Sequence, residues 1–359
     1  DSLKIYLSQA QPFSGPLVVK KGGKVIYSRQ VQLLPLKVFK DAVKTDTTGQ
    51  DIEVVLGDNK LVYKSTPGYE VMNRPLQSAA DFDWNSADGL CQQGEEHNYE
   101  RRYAQAEENF RAALQKDHNY LPALVKLSAL LYRNMRYEEA LLLARRALSI
   151  NTYDGEANYY YGLINAQMHK TADARDGWSI AALSPAWRSA AYTELSKSYL
   201  AEKDLNRCLV YADKAMSYNR YNIPALQLMA VAYRLQQNRT AAEGVLHTIL
   251  SYDTLNHFAG FEAYLWEETA ARKTQFASLI RNELPQETYI ELGVWYYSIG
   301  CATEAEKVFK LCPPAVEASY WLSFLQHREL NFSGTDTTLF FPFRSETGEV
   351  IRQLLKDNH

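Results

Sequence analysis

From Ala87 onward, apolar residues recur at helical spacing in segments of about a dozen residues, each suited to a short amphipathic helix. The segments come in pairs, as in Leu121–Met135 followed by Tyr137–Ile150. Between Ala87 and Asn256 the pair is written five times with a period of 34 residues and no insertion. Three tracks of small residues carry the period. Ala106, Ala140, Ala174, Cys208 and Ala242 form one track; Ala113, Ala147, Ala181, Ala215 and Ile249 follow seven positions later; Gly94, Ser128, Gly162, Ser196 and Ala230 precede the first by twelve. Small side chains let two backbones approach, so these tracks mark where paired helices touch. Around them stand the large residues of the expected core. On first helices these are Leu90, Leu124, Leu127, Tyr161, Tyr192, Leu195, Tyr199, Leu226, Met229 and Tyr233; on second helices they include Phe110, Leu114, Leu148, Trp178 and Leu246.

The first 65 residues follow a two-residue rhythm instead. Leu3–Ser8 alternates apolar and polar, as a half-buried strand does. Leu17–Lys20 and Lys24–Ser28 flank Gly22-Gly23, and Ile52–Leu56 and Leu61–Lys64 flank Gly57-Asp58-Asn59. Both read as hairpins, because such turns need positive φ. With Val31–Leu34 and Lys37–Val43, split by Pro35, the expectation is six or seven short strands in a small antiparallel β-sandwich of immunoglobulin-like kind over 1–65. That is little chain for a self-sufficient core. Residues 66–86, with Pro67, Gly68 and Pro75, read as a linker whose Trp84 is expected to be buried against the first repeat.

The small-residue offsets, with Leu or Tyr before them and Phe or Trp between, resemble the tetratricopeptide repeat. The stretches GEEHNYERRYAQAEENFRAAL and LLYRNMRYEEALLLARRALSIN match it most closely. The resemblance implies a mainly α, right-handed solenoid over 87–330. Its repeats lie near 87–120, 121–154, 155–188, 189–222 and 223–256, followed by a shortened unit at 257–285, a restored one at 286–319 and a closing helix to 330. Gly293, Ala305 and Phe309 restore the register. Residues 331–342 read as irregular, Phe340, Phe341 and Phe343 as needing burial, and Ser345–Lys356 as a last short helix without the polar outer face of a cap. The expectation is that the natural chain continues. The order of β region, linker, repeats, DTLNHFAGFEAYL and FPFRSETGEV resembles a narrower set of bacterial repeat proteins with an upstream galactose-mutarotase-like β domain. That likeness implies no catalytic residue here.

Composition narrows the functional classes. The net charge of −3 offers no field for nucleic acid or an anionic membrane. No apolar run approaches the roughly 18 residues that span a bilayer. The four cysteines contain no C-x-x-C, and Cys208 and Cys312 stand at small-residue positions, so they read as free, structural thiols without zinc. There is no phosphate-binding glycine loop, H-E-x-x-H or G-x-S-x-G, and no cofactor is indicated. None of the seven histidines has a second ligand at metal spacing. An enzyme would need an unseen constellation around His257, Glu262 and Glu267 in the shortened repeat. The acidic pairs Glu107-Glu108, Glu138-Glu139 and Glu267-Glu268 suit helix starts or exposed faces rather than a catalytic dyad.

In the tetratricopeptide resemblance, first helices line a concave groove. Carried over by position, its candidate contacts are Tyr99, Tyr132, Arg133, Tyr159, Lys197, Gln227, Arg234 and Tyr297, a mixture of aromatic and cationic groups of the type that dominates binding energy. The clamp that chaperone adaptors use for an acidic C-terminal tail is replaced by Cys91, Glu95, Val125 and Ala129, so an apolar or aromatic segment is the better fit. The expected function is a non-catalytic scaffold that holds a peptide, a protein partner or an upstream β domain of the same chain. The alternative is an accessory region of a carbohydrate-active or carbohydrate-binding bacterial protein, in either the periplasm or the cytoplasm.

Overall fold

The computed structural model describes residues 2–35, 37–45, 51–65, 81–330 and 340–357. They belong to two units, Asp1–Asp81 and Phe82–His359. In the first, the strands β1 (Ser2–Leu7), β2 (Phe13–Lys21), β3 (Lys24–Leu33), β4 (Phe39–Lys44), β5 (Ile52–Leu56) and β6 (Leu61–Lys64) form two antiparallel sheets, β1-β4 and β3-β2-β5-β6. Their alternation sends Ile5, Leu17, Val19, Val31, Leu33, Val43, Ile52 and Leu56 into one core. Both predicted hairpins form. Gly22 and Gly23 turn the first at φ +55° and +78°, where any side chain would be strained. The segment expected as a separate strand at Val31–Leu34 is the end of β3. Tyr27 and Arg29 on that strand both donate to Asp41 Oδ2 on β4, at 2.5 and 3.0 Å, which ties one sheet to the other.

The second unit is helical. Its paired helices are α1 (Ala87–Tyr99) and α2 (Tyr103–Lys116), α3 (Leu121–Arg133) and α4 (Tyr137–Ile150), α5 (Gly155–Gln167) and α6 (Thr171–Ala181), α7 (Arg188–Ala201) and α8 (Leu205–Tyr218), and α9 (Ile223–Leu235) and α10 (Arg239–Tyr252). After them come α11 (His257–Glu267) and α12 (Ala270–Leu279), α13 (Pro285–Ser298) and α14 (Ala302–Leu311), then α15 (Val316–Gln326) and α16 (Ser345–Asp357). Pro122, Pro224 and Pro285 stand in first turns, where a missing N–H costs nothing. Asp154, Asp204, Asn222, Asn238 and Asn256 cap the helices they precede by accepting a backbone N–H three residues on.

All three small tracks are buried, and the structure explains why they vary. The residue on the first helix faces the residue sixteen positions later on the second, and their sizes trade off. Gly94 faces Phe110, Gly162 faces Trp178 and Gly293 faces Phe309; a Cβ on any of these glycines would stand 2.4–2.6 Å from the ring. Where the track holds Ser128 or Ser196, the large partner gives way to Ala144 or Ala212. The serine hydroxyls then donate to Ala140 O at 2.9 Å and Cys208 O at 2.8 Å, so neither hydroxyl is left bare. Each joint is filled once, from one side or the other, as close packing requires.

A further 34-residue track appears in the backbone alone. Arg101, Met135, His169, Lys203 and Gln237, each between the helices of a pair, are left-handed with φ between +58° and +64°. The N–H of the following residue reaches back five positions, as Arg102 does to His97 O at 2.8 Å and Asn238 to Tyr233 O at 2.9 Å, closing the end of the first helix. In the later repeat Gly300 takes this conformation at φ +72°.

Several expectations need correction. Trp84 is 42% exposed, with its ring edge-on to Phe82 at 4.8 Å; its backbone, not its ring, packs against α1 at Gly89. Residues 66–80, most of the expected linker, lie outside the described residues, as do 331–339. Phe340 packs on Tyr320, whereas Phe341 and Phe343 stay exposed. On the last helix Thr347, Val350 and Leu354 turn inward, while the outer face carries Glu346, Glu349, Arg352 and Gln353 together with Leu355, 60% exposed. Thr347 Oγ1 accepts from Trp321 Nε1 at 3.0 Å and donates to Glu317, and Arg344 pairs with Glu317 and Glu287 at 3.0 and 2.8 Å.

Candidate functional site

Burial and partners separate the open candidate positions from the covered ones. Arg234, placed in the groove by its register, is sealed instead. Its Nε donates to Glu262 Oε2 at 2.7 Å and its Nη1 to Glu304 Oε1 at 2.8 Å, while Tyr296 donates to Glu262 Oε1 at 2.7 Å. Arg234 is 9% exposed and Glu262 wholly buried, so this is a structural tie between α9, α11, α13 and α14. Burial works against both charges, and their mutual attraction offsets it. The suggested constellation of His257, Glu262 and Glu267 does not assemble. His257 Nε2 lies 3.2 Å from Leu279 O, bracing the shortened repeat, and Glu267 is an exposed partner of Arg239 and Arg272. Among the described residues no group of histidine, cysteine and carboxylate could hold a metal ion.

The other candidates divide by location. Tyr99 stands 82% exposed at the end of α1. Arg133 is folded over the Tyr103 ring at 4.1 Å. Gln227 lines a separate 280 Å³ pocket with Asp253, His257 and Trp295. Tyr297 sits edge-on to Trp321 and Phe324 at 5.0 and 5.8 Å and faces a 620 Å³ cavity. Across that cavity stand Met135, Tyr137 and Gln167 of the second and third repeats, with α16 forming another wall.

Tyr132 on α3 and Tyr159 on α5 both contact the Tyr160 ring, while Lys197 on α7 stands one turn from Glu194. Ring centroids run from Tyr137 to Tyr132 at 5.9 Å, to Tyr160 at 6.2 Å, to Tyr159 at 5.7 Å and to Trp187 at 4.9 Å. Each ring is half-buried, leaving a continuous aromatic wall across the second and third repeats. Burial pushes the Tyr132 hydroxyl up to about 12, with the charges of Glu194 and Glu346 adding to the effect. Glu194, on α7, is crowded by protein yet keeps some accessible surface. It makes no hydrogen bond or ion pair among the described residues, and burial raises its carboxyl above the usual range despite Lys197 one turn along.

Sequence reasoning missed Glu194, Tyr160 and Trp187. A signal for the first two existed: Gln92, Lys126, Tyr160, Glu194 and Leu228 are spaced by 34 and share one repeat position. Within that row Lys126 is satisfied by Glu95 at 3.2 Å and Glu156 at 2.9 Å. Glu194 has no such partner.

No family model matches the sequence, and no curated protein matches it. Solved structures are similar in fold. PilW, a type IV pilus biogenesis factor, aligns with a TM-score of 0.50 and 16% identity over 55% of this chain and 94% of its own. PilF of Pseudomonas aeruginosa gives 0.49 and 18% over 57% and 91%. A tetratricopeptide repeat protein from Parabacteroides merdae gives 0.48 and 16% over 62% and 91%. None of these supports the narrower likeness to proteins with a mutarotase-like domain. The chain is thus mainly α, a tetratricopeptide-type array of paired helices preceded by a small antiparallel β region of two sheets.

Proposed function

We propose that this protein is a non-catalytic interaction scaffold whose concave face, from the second to the fourth repeat, holds an extended peptide segment of a partner. The observation that carries this reading is the aromatic wall Tyr137–Tyr132–Tyr160–Tyr159–Trp187. These five rings keep part of their surface accessible and touch one another in sequence, from α3 and α4 through α5 to the residue before α7. Aromatic rings offer large contact area at low entropic cost, which suits them to peptide capture. The cavity beside them, walled by α16, leaves room for a segment to enter.

The test is selection of random twelve-residue peptides displayed on phage against the full chain. Enriched peptides are expected to lose binding to a Tyr132→Ala/Tyr159→Ala variant that keeps its helical circular dichroism. They should keep binding to a variant changed at Val210, an exposed position on a second helix. Absence of any enriched peptide, or equal binding to the Tyr132→Ala/Tyr159→Ala variant, would overturn the reading.

A further inference from the structure

The aromatic wall has a chemical preference built into it. Glu194 stands among rings with no hydrogen bond or ion pair among the described residues. A carboxylate in that setting is costly unless something completes it. Elsewhere in the second unit the buried carboxylates are completed from within: Glu262 by Arg234 and Tyr296, and Glu317 by Arg344 and Thr347. The same repeat position in the second repeat, Lys126, is likewise completed by two glutamates. Of the two charged residues in that repeat position, Lys126 and Glu194, Glu194 is the one without such a partner among the described residues.

Its surroundings favour a cation. The charge of Glu194 acts on the hydroxyls of Tyr132 and Tyr159, and aromatic faces attract ammonium and guanidinium groups. A second carboxylate, Glu346 on α16, acts on Tyr132 and Tyr137 from the other side. The opposing charge is Lys197, which is on the same helix as Glu194 but not within ion-pair distance. Lys126 is already neutralised, and Arg133 is turned away onto Tyr103.

We propose that the trough of repeats two to four recognises a basic side chain, Lys or Arg, in its peptide partner, seated against Tyr132 and Tyr159 with its charge on Glu194. This rests on the scaffold reading and adds specificity to it. An aliphatic stem lies along the rings while the charged head reaches the carboxylate, so the site rewards a long cationic residue over a short or purely apolar one.

The selected peptides supply the test. A Lys or Arg is expected at one fixed position in the enriched set. Fluorescence polarisation of a labelled selected peptide should show binding weakened tenfold or more by Glu194→Gln. Replacing the basic residue by norleucine should weaken binding by a similar factor, and the norleucine peptide should bind wild type and Glu194→Gln alike. Lys197→Gln should strengthen the basic peptide, an effect no loss of folding would mimic. Peptides that depend on Tyr132 and Tyr159 but carry no basic position would overturn this inference while leaving the scaffold reading intact. So would unchanged affinity with Glu194→Gln, or weaker binding with Lys197→Gln. Failure to select any peptide would overturn both.

Discussion

The size exchange between paired helices makes a sharp quantitative prediction at Gly162. In Gly162→Ala the new Cβ would stand 2.4 Å from Trp178 Nε1 and 2.5 Å from Cδ1, well inside contact distance of a ring that is only 3% exposed. Overpacking of this kind typically costs about 1–3 kcal/mol. Against it stands the gain from replacing glycine by alanine inside a helix, about 1 kcal/mol. The net expectation is a loss of up to about 2 kcal/mol. Gly244 is the matched control: it also lies within a helix, α10, but nothing stands within 4 Å of its Cβ position. Gly244→Ala should stabilise by up to about 1 kcal/mol. The decisive measurement adds Trp178→Ala, which recreates the small partner found beside Ser128 and Ser196. Alone it should cost about 3–5 kcal/mol. In that background Gly162→Ala should become stabilising, a coupling of about 1–3 kcal/mol between the two sites. Urea denaturation followed by circular dichroism at 222 nm and by tryptophan fluorescence would report the midpoints, with agreement of the two probes checking cooperativity. The argument fails if Gly162→Ala stabilises as Gly244→Ala does, or if its cost is the same with and without Trp178.

Three other outcomes follow from the structure. Gln237 is exposed at φ +58°, a region that costs a non-glycine residue about 1–2 kcal/mol, so Gln237→Gly should raise stability by up to about 1 kcal/mol, while the same change at Gln236, φ −78°, should lower it; a shared sign in thermal melts would refute the backbone account. Glu262→Ala strips Arg234 of its buried partner and should cost about 3–5 kcal/mol, whereas the double change Arg234→Met/Glu262→Leu should cost less than either charge left alone; urea midpoints decide it. For Glu194 the sign runs opposite to that of most carboxylates. Its folded value is raised above the ordinary 4.5, so its contribution to stability is fully present below that value and is lost as pH rises through the folded one. Glu194→Gln should therefore melt higher than wild type at pH 7, by about 2–4 °C for a gain of about 1 kcal/mol, and the gap should close near pH 4. A gap independent of pH would mean that ionisation of Glu194 carries no cost.

What the sequence disclosed and what it hid have distinct physical causes. The repeat period, both hairpins and the small tracks were legible because burial acts on side-chain size at fixed spacing. The trade of Gly for Ser against Phe or Trp for Ala was written there too, but only across two tracks read together. The left-handed turn positions left no trace in residue type, since Arg101, Met135, His169, Lys203 and Gln237 share no side-chain property that the conformation prefers. Groove residues were harder still. Helical register gave Arg234 and Tyr132 comparable places on their first helices, and by that register both were expected to line the groove. It could not tell that α13 and α14 would come round to cover Arg234, because that depends on how every joint between them adds up.

That sum is itself a property worth testing, because the trough is closed by parts distant in sequence. Lys203 Nζ donates to Gly300 O at 2.5 Å, joining the turns of the α7–α8 and α13–α14 pairs, and a Cβ on Gly300 would stand 2.8 Å from Ala201 O. The cavity facing Tyr297 has α16 on one side and the second and third repeats on the other. Every helix pair between them contributes its own packing angle to the distance across. In a linear array the packing angles between neighbouring repeats accumulate, and here the contact of Lys203 with Gly300 adds a tie between repeats distant in sequence. The residues that recognise a partner and those that fix the width of the trough are therefore different sets. Tyr132, Tyr159 and Glu194 belong to the first set, and the Gly–aromatic and Ser–Ala joints to the second. A substitution at a joint such as Gly293, which faces Phe309 and touches no part of the aromatic wall, should alter peptide affinity by moving the walls while leaving the preference for a basic residue unchanged.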